Sequence, residues 1–344
     1  MPATTANSFL KKLRSQIKGA RAGFLLGAGS SYLAGAGYPL SSGLWGEIAG
    51  RLDPADAQIL ARIIVGRNCG LEEALDVLDV DPATPFPLRE RIAYAIADVF
   101  QARNPPLESH RRFVRGLARR SEHRTPILSL NYDPLIEYAA VEERLLFSDG
   151  FTGGCRAAFD PASFNYLIST PSIRRGRQTN DRLRGLFNLI KLHGSLGWFQ
   201  FPDDKIKRFD PDLPVPPGAQ RLMIPPQRRK HQDTGIPPYS DLWSEFRGLL
   251  NNDGRRLLNR LICVGYGFRD EHVNAIIRAA VGREHFTLVV LSRALEDTVY
   301  STWARCGHAI IATEKRCCLY GTEVDPLPNV WSFEWLAREV CTNA

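Results

Sequence analysis

The chain has no Cys-x-x-Cys pair anywhere among its 344 residues, and its seven cysteines, Cys69, Cys155, Cys263, Cys306, Cys317, Cys318 and Cys341, are odd in number and irregularly spaced. This excludes a four-cysteine zinc ribbon and the disulfide framework of a small secreted domain, and it fits a reducing cytoplasm. No apolar run approaches the ~18 residues that cross a bilayer. No Asp or Glu precedes Glu47. The leading segment carries Lys11, Lys12, Arg14, Lys18 and Arg21 on an amphipathic pattern with Phe9, Leu10, Leu13 and Ile17. Because it runs straight into a strand-and-glycine motif, it reads as an ordinary first helix rather than a transit peptide. Walker motifs, internal repeats and low-complexity tracts are all missing. Lysine is scarce at 8 of 44 basic residues, so the net charge of +7 rests on arginine, the side chain suited to bidentate pairing with oxyanions. Arg111, Arg112, Arg115, Arg119 and Arg120 form one candidate anion-facing cluster. Arg174, Arg175, Arg177, Arg182 and Arg184 form another.

What is present is a globular composition, 44% hydrophobic and 24% charged, enough for one large core or two modest ones. Five short apolar runs read as buried strands: Ala22 to Leu26, Pro126 to Leu130, Phe187 to Leu192, Leu261 to Val264, and Thr287 to Leu291. Helical spacing separates them, which predicts an α/β, doubly wound, Rossmann-like parallel sheet. About 95 residues lie between the first two strands with apolar positions such as Ile59, Leu60, Ile63 and Ile64 at helical spacing, so a helical insertion or subdomain is expected over about 46–125. Residues 202–238 hold nine of the 23 prolines and read as an irregular excursion within a domain spanning 1–300. A tail from 301 to 344, with Trp303, Trp331 and Trp335, closes the domain or mediates assembly.

The first strand ends in Gly27-Ala28-Gly29-Ser30, a turn whose backbone N–H groups and following helix are suited to a pyrophosphate. The dehydrogenase fingerprint needs a third glycine where Tyr32 stands and an acid after a second strand, and neither occurs, so hydride transfer is disfavoured. Three further strand ends carry polar groups: Asn131-Tyr132-Asp133, His193-Gly194-Ser195, and Gly265-Tyr266-Gly267-Phe268 followed by Asp270, His272 and Asn274. In a doubly wound sheet these ends converge on one crevice. Each alone has a plain structural reading, with Asn131, Asp133 and Asp270 as helix caps and His193 as a satisfied turn histidine.

Together these motifs, with Gly37-Tyr38-Pro39 and Leu44-Trp45, Lys191-Leu192 before His193, and Trp198 after it, resemble the sirtuin-like NAD-consuming family in the branch found in bacterial antiphage defence. The resemblance spans residues 22 to about 292. It implies that Asn131 and His193 are catalytic, Asn131 holding the nicotinamide ribose or a water and His193 acting as general base. It also implies that Gly27, Ala28, Gly29, Ser30, Pro39, Asp133, Gly194, Ser195, Gly265, Tyr266, Gly267, Asp270 and Ser292 line NAD+, which is the substrate. Deacylase sirtuins carry Asp-Phe-Arg after the glycine-proline of the first loop and a zinc ribbon; here Leu40-Ser41-Ser42 follows Pro39. The implied reaction is NAD+ hydrolysis to nicotinamide and ADP-ribose without a metal, in a bacterial cytoplasm. Such an enzyme needs gating, by a homo-oligomer or a separate partner, with a HerA-type hexameric ATPase first and a short Argonaute second; nucleic acid would enter through the partner, and no membrane is involved. The alternatives are a non-catalytic module binding NAD, ADP-ribose or nucleic acid, and an ADP-ribosyltransferase using the same site.

Overall fold

The computed structural model describes residues 3–80, 86–120, 124–174, 177–183, 185–225, 235–251 and 257–342. Chain order begins with α1 (Ala3–Ile17), β1 (Ala22–Leu26), α2 (Gly29–Tyr32), α3 (Ser41–Ile48), α4 (Pro54–Arg67), α5 (Leu71–Val80), α6 (Phe86–Gln101) and α7 (Glu108–Arg119). Next come β2 (Thr125–Ser129), α8 (Leu135–Glu142), β3 (Phe147–Ser148), β4 (Phe151–Thr152), β5 (Ala157–Phe159), β6 (Ser169–Arg174), β7 (Arg177–Arg182), β8 (Phe187–Lys191), β9 (Gly194–Gln200), β10 (Ile206–Arg208) and β11 (Gln220–Met223). The chain closes with α9 (Tyr239–Leu250), β12 (Arg260–Val264), α10 (Glu271–Val281), β13 (Thr287–Leu291), α11 (Asp297–Ala304), β14 (Ala309–Ala312), β15 (Cys317–Leu319), β16 (Thr322–Val324) and α12 (Phe333–Thr342).

All five runs read from sequence are strands, displaced by at most a residue, and all belong to one sheet ordered β16-β15-β14-β13-β12-β1-β2-β8-β3. Its pairs are parallel from β14 to β3, and β15 and β16 add an antiparallel edge. The chain moves outward from β1 to β2 and β8, then returns to β12 on the other side. The switch in strand order therefore falls between β1 and β12, where an open α/β sheet presents its ligand crevice.

Alternation along each strand divides the core. Leu25, Leu128, Ile190, Cys263, Val290 and Ile311 face a cluster completed by α9, α10 and α11. Phe24, Leu26, Ile127, Leu189, Ile262, Val289 and Ile310 face a cluster completed by α1, α7, α8 and α12. Continuous apolar strands, rather than alternating ones, are what burial on both faces requires. A third cluster gathers α3 to α6 around Leu60, Leu75, Ile92 and Ile96. The expected insertion is thus helical, but α7 leaves it: Phe113, Val114 and Leu117 pack on the main sheet with α12. The proline-rich excursion contains β10 and β11, which flank β9 in an antiparallel sheet β11-β9-β10-β5-β4; residues 226–234 lie outside the described residues. Strands of three or four residues between prolines carry too little periodicity to be read in advance. In the tail, Trp303 and Trp335 are buried in the two faces of the main core.

Candidate functional site

The turns after β1 and β12 press against each other, backbone on backbone. Gly29 N–H donates to Gly265 C=O at 2.9 Å and Gly27 N–H to Val264 C=O at 3.0 Å. A Cβ on Gly27 would lie 2.6 Å from Gly265 O, and one on Gly29 would lie 2.7 Å from Gly265 Cα. These glycines exist because two main chains meet at the switch point. Ser30 and Ser31 N–H groups donate to Gly27 and Ala28 carbonyls, so three of the N–H groups assigned by sequence to a pyrophosphate, those of Gly27, Gly29 and Ser30, are engaged within the fold. The helix they open, α2, is only four residues long, and exposed Ala28 is the turn's outermost point.

Asn131, at the end of β2, locks this turn in place. Its buried side-chain amide donates to Gly27 O at 3.0 Å, Ser30 Oγ at 3.1 Å and Ser31 Oγ at 2.9 Å. Ser31, which sequence reasoning did not single out, also bonds the Asp133 carboxylate. Asp133 Oδ1 accepts the N–H of Leu135, the first residue of α8, at 3.2 Å, although the N-cap position itself is Pro134 rather than Asp133. Burial raises the Asp133 carboxyl above the usual carboxylate range, with Lys191 and the Ser31 hydroxyl pulling the other way.

Lys191, at the end of β8, is fully buried and donates to Asp133 O at 2.7 Å, Glu137 Oε1 at 2.7 Å and Ser195 Oγ at 3.1 Å. It fastens the Asn131–Asp133 turn to the start of β9. Removing one partner of a buried ion pair leaves the other uncompensated, so Lys191→Met is expected to cost about 3 kcal/mol, measured as a urea midpoint shift against wild type. A change below about 1 kcal/mol would show that the pair is not structural.

The clearest chemical arrangement is at His193. Its Nδ1 lies 3.0 Å from Leu130 O and its Nε2 lies 3.2 Å from Asp270 Oδ2, and both side chains are 7% exposed. A backbone carbonyl only accepts, so Nδ1 carries a hydrogen and Nε2 is the position that takes up the second proton, facing a carboxylate that stabilises the imidazolium. Asp270, expected along the cofactor path, is instead the partner of His193. Its other oxygen accepts His272 and Val273 N–H groups at 3.1 and 3.4 Å, capping α10. The indole of Trp243 on α9 lies beside both histidines, 6.4 Å from His193 and 6.1 Å from His272 between ring centroids.

Several other expected residues are placed differently. Tyr266 is buried beneath the crevice, its hydroxyl donating to Asp270 O at 3.1 Å and Asn274 Oδ1 at 3.0 Å. Gly194 holds φ +78° in the tight β8–β9 turn, where a Cβ would meet Leu222 O at 2.3 Å. Ser195 lies in β9, bonded to Lys191 and the Tyr132 carbonyl. Gly267 is exposed with open space around it. Ser292 N–H donates to Ala312 O, and its hydroxyl donates to Ala294 O at 3.1 Å. Pro39 is half-buried in a loop held by Arg103, which sequence reasoning missed: Arg103 donates to Gly37 O at 2.8 Å and forks onto Glu47 at 2.6 and 2.7 Å. A cavity of about 380 Å³ opens beside this loop, lined by Tyr38, Arg103, Asn104, Leu135, Tyr138 and Asp212 among others. Neither His193 nor Asp270 reaches it.

The first arginine cluster is largely neutralised. Arg111 and Arg115 both bond Glu143, and Arg112 bonds Glu108. The side chains of Arg174, Arg175, Arg177, Arg182 and Arg184 lie outside the described residues. The hydrogen bonds from Arg115 and Arg111 lower Glu143 from 4.5 to about 2. A depressed carboxylate pKa stabilises the fold above the unfolded value and loses that contribution as pH falls through the folded one. Between pH 4.5 and about 2, wild type is therefore expected to lose stability more steeply than Glu143→Gln in urea titrations. Equal slopes would sink this assignment.

Among the described residues, no helix is long and apolar enough to cross a membrane, and no group of three or more His, Cys, Asp or Glu could hold a metal ion. No family model and no curated protein matches the chain. Solved structures do. A Sir2 homologue in complex with NAD is 15% identical with TM-score 0.49, covering 96% of this chain and 94% of that one. A mutant Sir2 homologue with ADP-ribose is 14% identical with TM-score 0.47, covering 96% of each. A Sir2 bound to a propionylated peptide is 13% identical with TM-score 0.41, covering 97% of each.

Proposed function

We propose that the crevice between β1 and β12 takes NAD+ as a substrate and hydrolyses it to nicotinamide and ADP-ribose. The observation that carries this reading is the buried His193–Asp270 pair at the strand-order switch, with the ring fixed through Nδ1 on Leu130 O. In NAD+ the nicotinamide nitrogen is cationic. Breaking its bond to the ribose sends the electron pair into the ring and releases a neutral base, so the leaving group needs no acid. The protein has two tasks: to stabilise an oxocarbenium-like ribose, and to accept the proton that the attacking water loses on bonding to the anomeric carbon. Nε2 of His193 accepts that proton and Asp270 stabilises the resulting cation. Asn131 and Ser31 hold the Gly27–Ser30 turn against the crevice, and Asp133 is tied to them through Ser31.

The wider reading rests on the resemblance alone: an effector of bacterial antiphage defence, kept silent until infection by a homo-oligomer or by a partner, a HerA-type ATPase or a short Argonaute. ADP-ribosyl transfer uses the same groups and differs only in what attacks. The test is incubation of the purified chain with NAD+ and chromatography of the products, alone and then with ATP, duplex DNA or a co-expressed genomic neighbour. Nicotinamide and ADP-ribose in equal amounts is the expected result, and the condition that produces them identifies the gate. ADP-ribose recovered on an acceptor would indicate transfer. NAD+ that binds but is never consumed would establish a binding module.

A further inference from the structure

The strands begin at the end of the sheet opposite the crevice, and two arginines meet there. Arg260 opens β12 and Arg120 follows α7. Arg120 lies over the Phe24 ring, 5.4 Å from Cζ to the centroid, and its Nη2 is buried with no hydrogen-bond partner. Arg260 passes over Gly19, where a Cβ would fall 1.6 Å from Nη1, and it donates to Asn259 Oδ1 at 2.9 Å and Ser15 O at 3.5 Å.

Elsewhere in the molecule, several partly buried arginines are matched to acids: Arg103 to Glu47, Arg111 and Arg115 to Glu143, Arg208 to Asp149. Buried Arg124 donates to carbonyls and to Asn188, and Arg221 and Arg283 donate to backbone carbonyls. For Arg120 the neighbouring charge is another guanidinium, and burial together with Arg260 draws it down to about 10. Among the described residues, no carboxylate lowers the cost of holding the two cations together. The C-terminal end of α1 offers Arg260 a carbonyl, but Nη2 of Arg120 rests on none. Lys18 and Arg21, in the connection between α1 and β1, are exposed. Two forked donors, one with an unused buried N–H, match a group with several acceptor oxygens around one centre.

We propose that Arg120 and Arg260 form a binding site for a phosphate group at the strand-start end of the sheet, separate from the crevice and independent of the NAD+ reading. The phosphate comes either from a free anion or from a nucleic-acid backbone. The neighbouring like charge gives the proposal an unusual sign. Without ligand, Arg120→Met relieves the repulsion and keeps apolar contact with Phe24, so its melting temperature is expected to rise.

The test measures thermal unfolding of the full chain against inorganic phosphate, and binding of a labelled oligothymidylate at two salt concentrations, for wild type, Arg120→Met, Arg120→Lys and the exposed-neighbour control Arg119→Met. Phosphate is expected to stabilise wild type and Arg119→Met, with apparent affinity about tenfold weaker or worse in Arg120→Met. Arg120→Lys, which keeps the cation, is expected to fall between. If the oligonucleotide loses affinity in parallel, the source is a backbone phosphate. If only inorganic phosphate responds, the source is a free anion. A wild type that phosphate does not stabilise overturns the proposal, as does a phosphate response that survives in Arg120→Met. An Arg120→Met chain that fails to fold while Arg120→Lys responds like wild type to phosphate supports the site; one whose Arg120→Lys counterpart is also unresponsive to phosphate overturns it.

Discussion

His193→Ala is expected to lower the rate of nicotinamide release about 10²- to 10⁴-fold, the range a positioned general base supplies. Asp270→Asn is the sharper experiment, because Asp270 does two things at once: one oxygen caps α10 and the other faces His193 Nε2. Asparagine is as good an N-cap as aspartate, so the helix start is preserved and only the charge is lost. With the amide oxygen on the cap, its NH₂ group donates to Nε2, occupies the lone pair that would take the proton, and no longer stabilises an imidazolium. Asp270→Asn is therefore expected to lose about 10²-fold in kcat with KM nearly unchanged and an unaltered unfolding midpoint. A merely structural Asp270 would move the midpoint and leave the pH profile of kcat as it was. If His193→Ala turns over as fast as wild type, the chemistry lies elsewhere in the crevice.

Gly265→Ala is expected to destabilise by about 4 kcal/mol or more, enough to leave a marginal domain largely unfolded. Two costs coincide at this residue. Its φ of +64° is unfavourable for any residue with a Cβ, by about 1–2 kcal/mol. That Cβ would also lie 2.3 Å from Ser30 N and 2.6 Å from Gly29 C, against main chain that cannot move aside without parting β1 from β12. Gly267, two residues on in the same motif, has open space around it, so Gly267→Ala is expected to change stability by no more than about 1 kcal/mol. Urea unfolding of both variants checks the contrast, and equal midpoints would show that turn–turn contact is not what the glycine serves.

The parallel strands were legible because burial on both faces makes them continuous apolar runs bounded by glycine and polar turns, as in Leu261 to Val264 before Gly265. β10 and β11 were not, since their short segments owe their extension to β9 rather than to their own residues. α7 shows a similar limit. Its apolar stripe of Phe113, Val114 and Leu117 announces an amphipathic helix, but a stripe does not say which surface it covers, and here that surface is the main sheet.

The site divides along the same line. Sequence alone determined which residue types end the strands, and the order of strands and helices placed Asn131, His193 and Asp270 at one crevice, because parallel strands joined by helical crossovers present their C-terminal ends together. Tertiary structure decided how those residues are used. The pairing of His193 with Asp270 joins residues 77 apart in sequence, the grip of Asn131 on the Gly27 turn joins residues 104 apart, and the burial of Lys191 depends on Tyr132, Asp133 and Glu137 closing over it. Hydrogen bonds and charge burial depend on distances of a few ångströms between strands, and the packing of two turns at the switch point sets those distances.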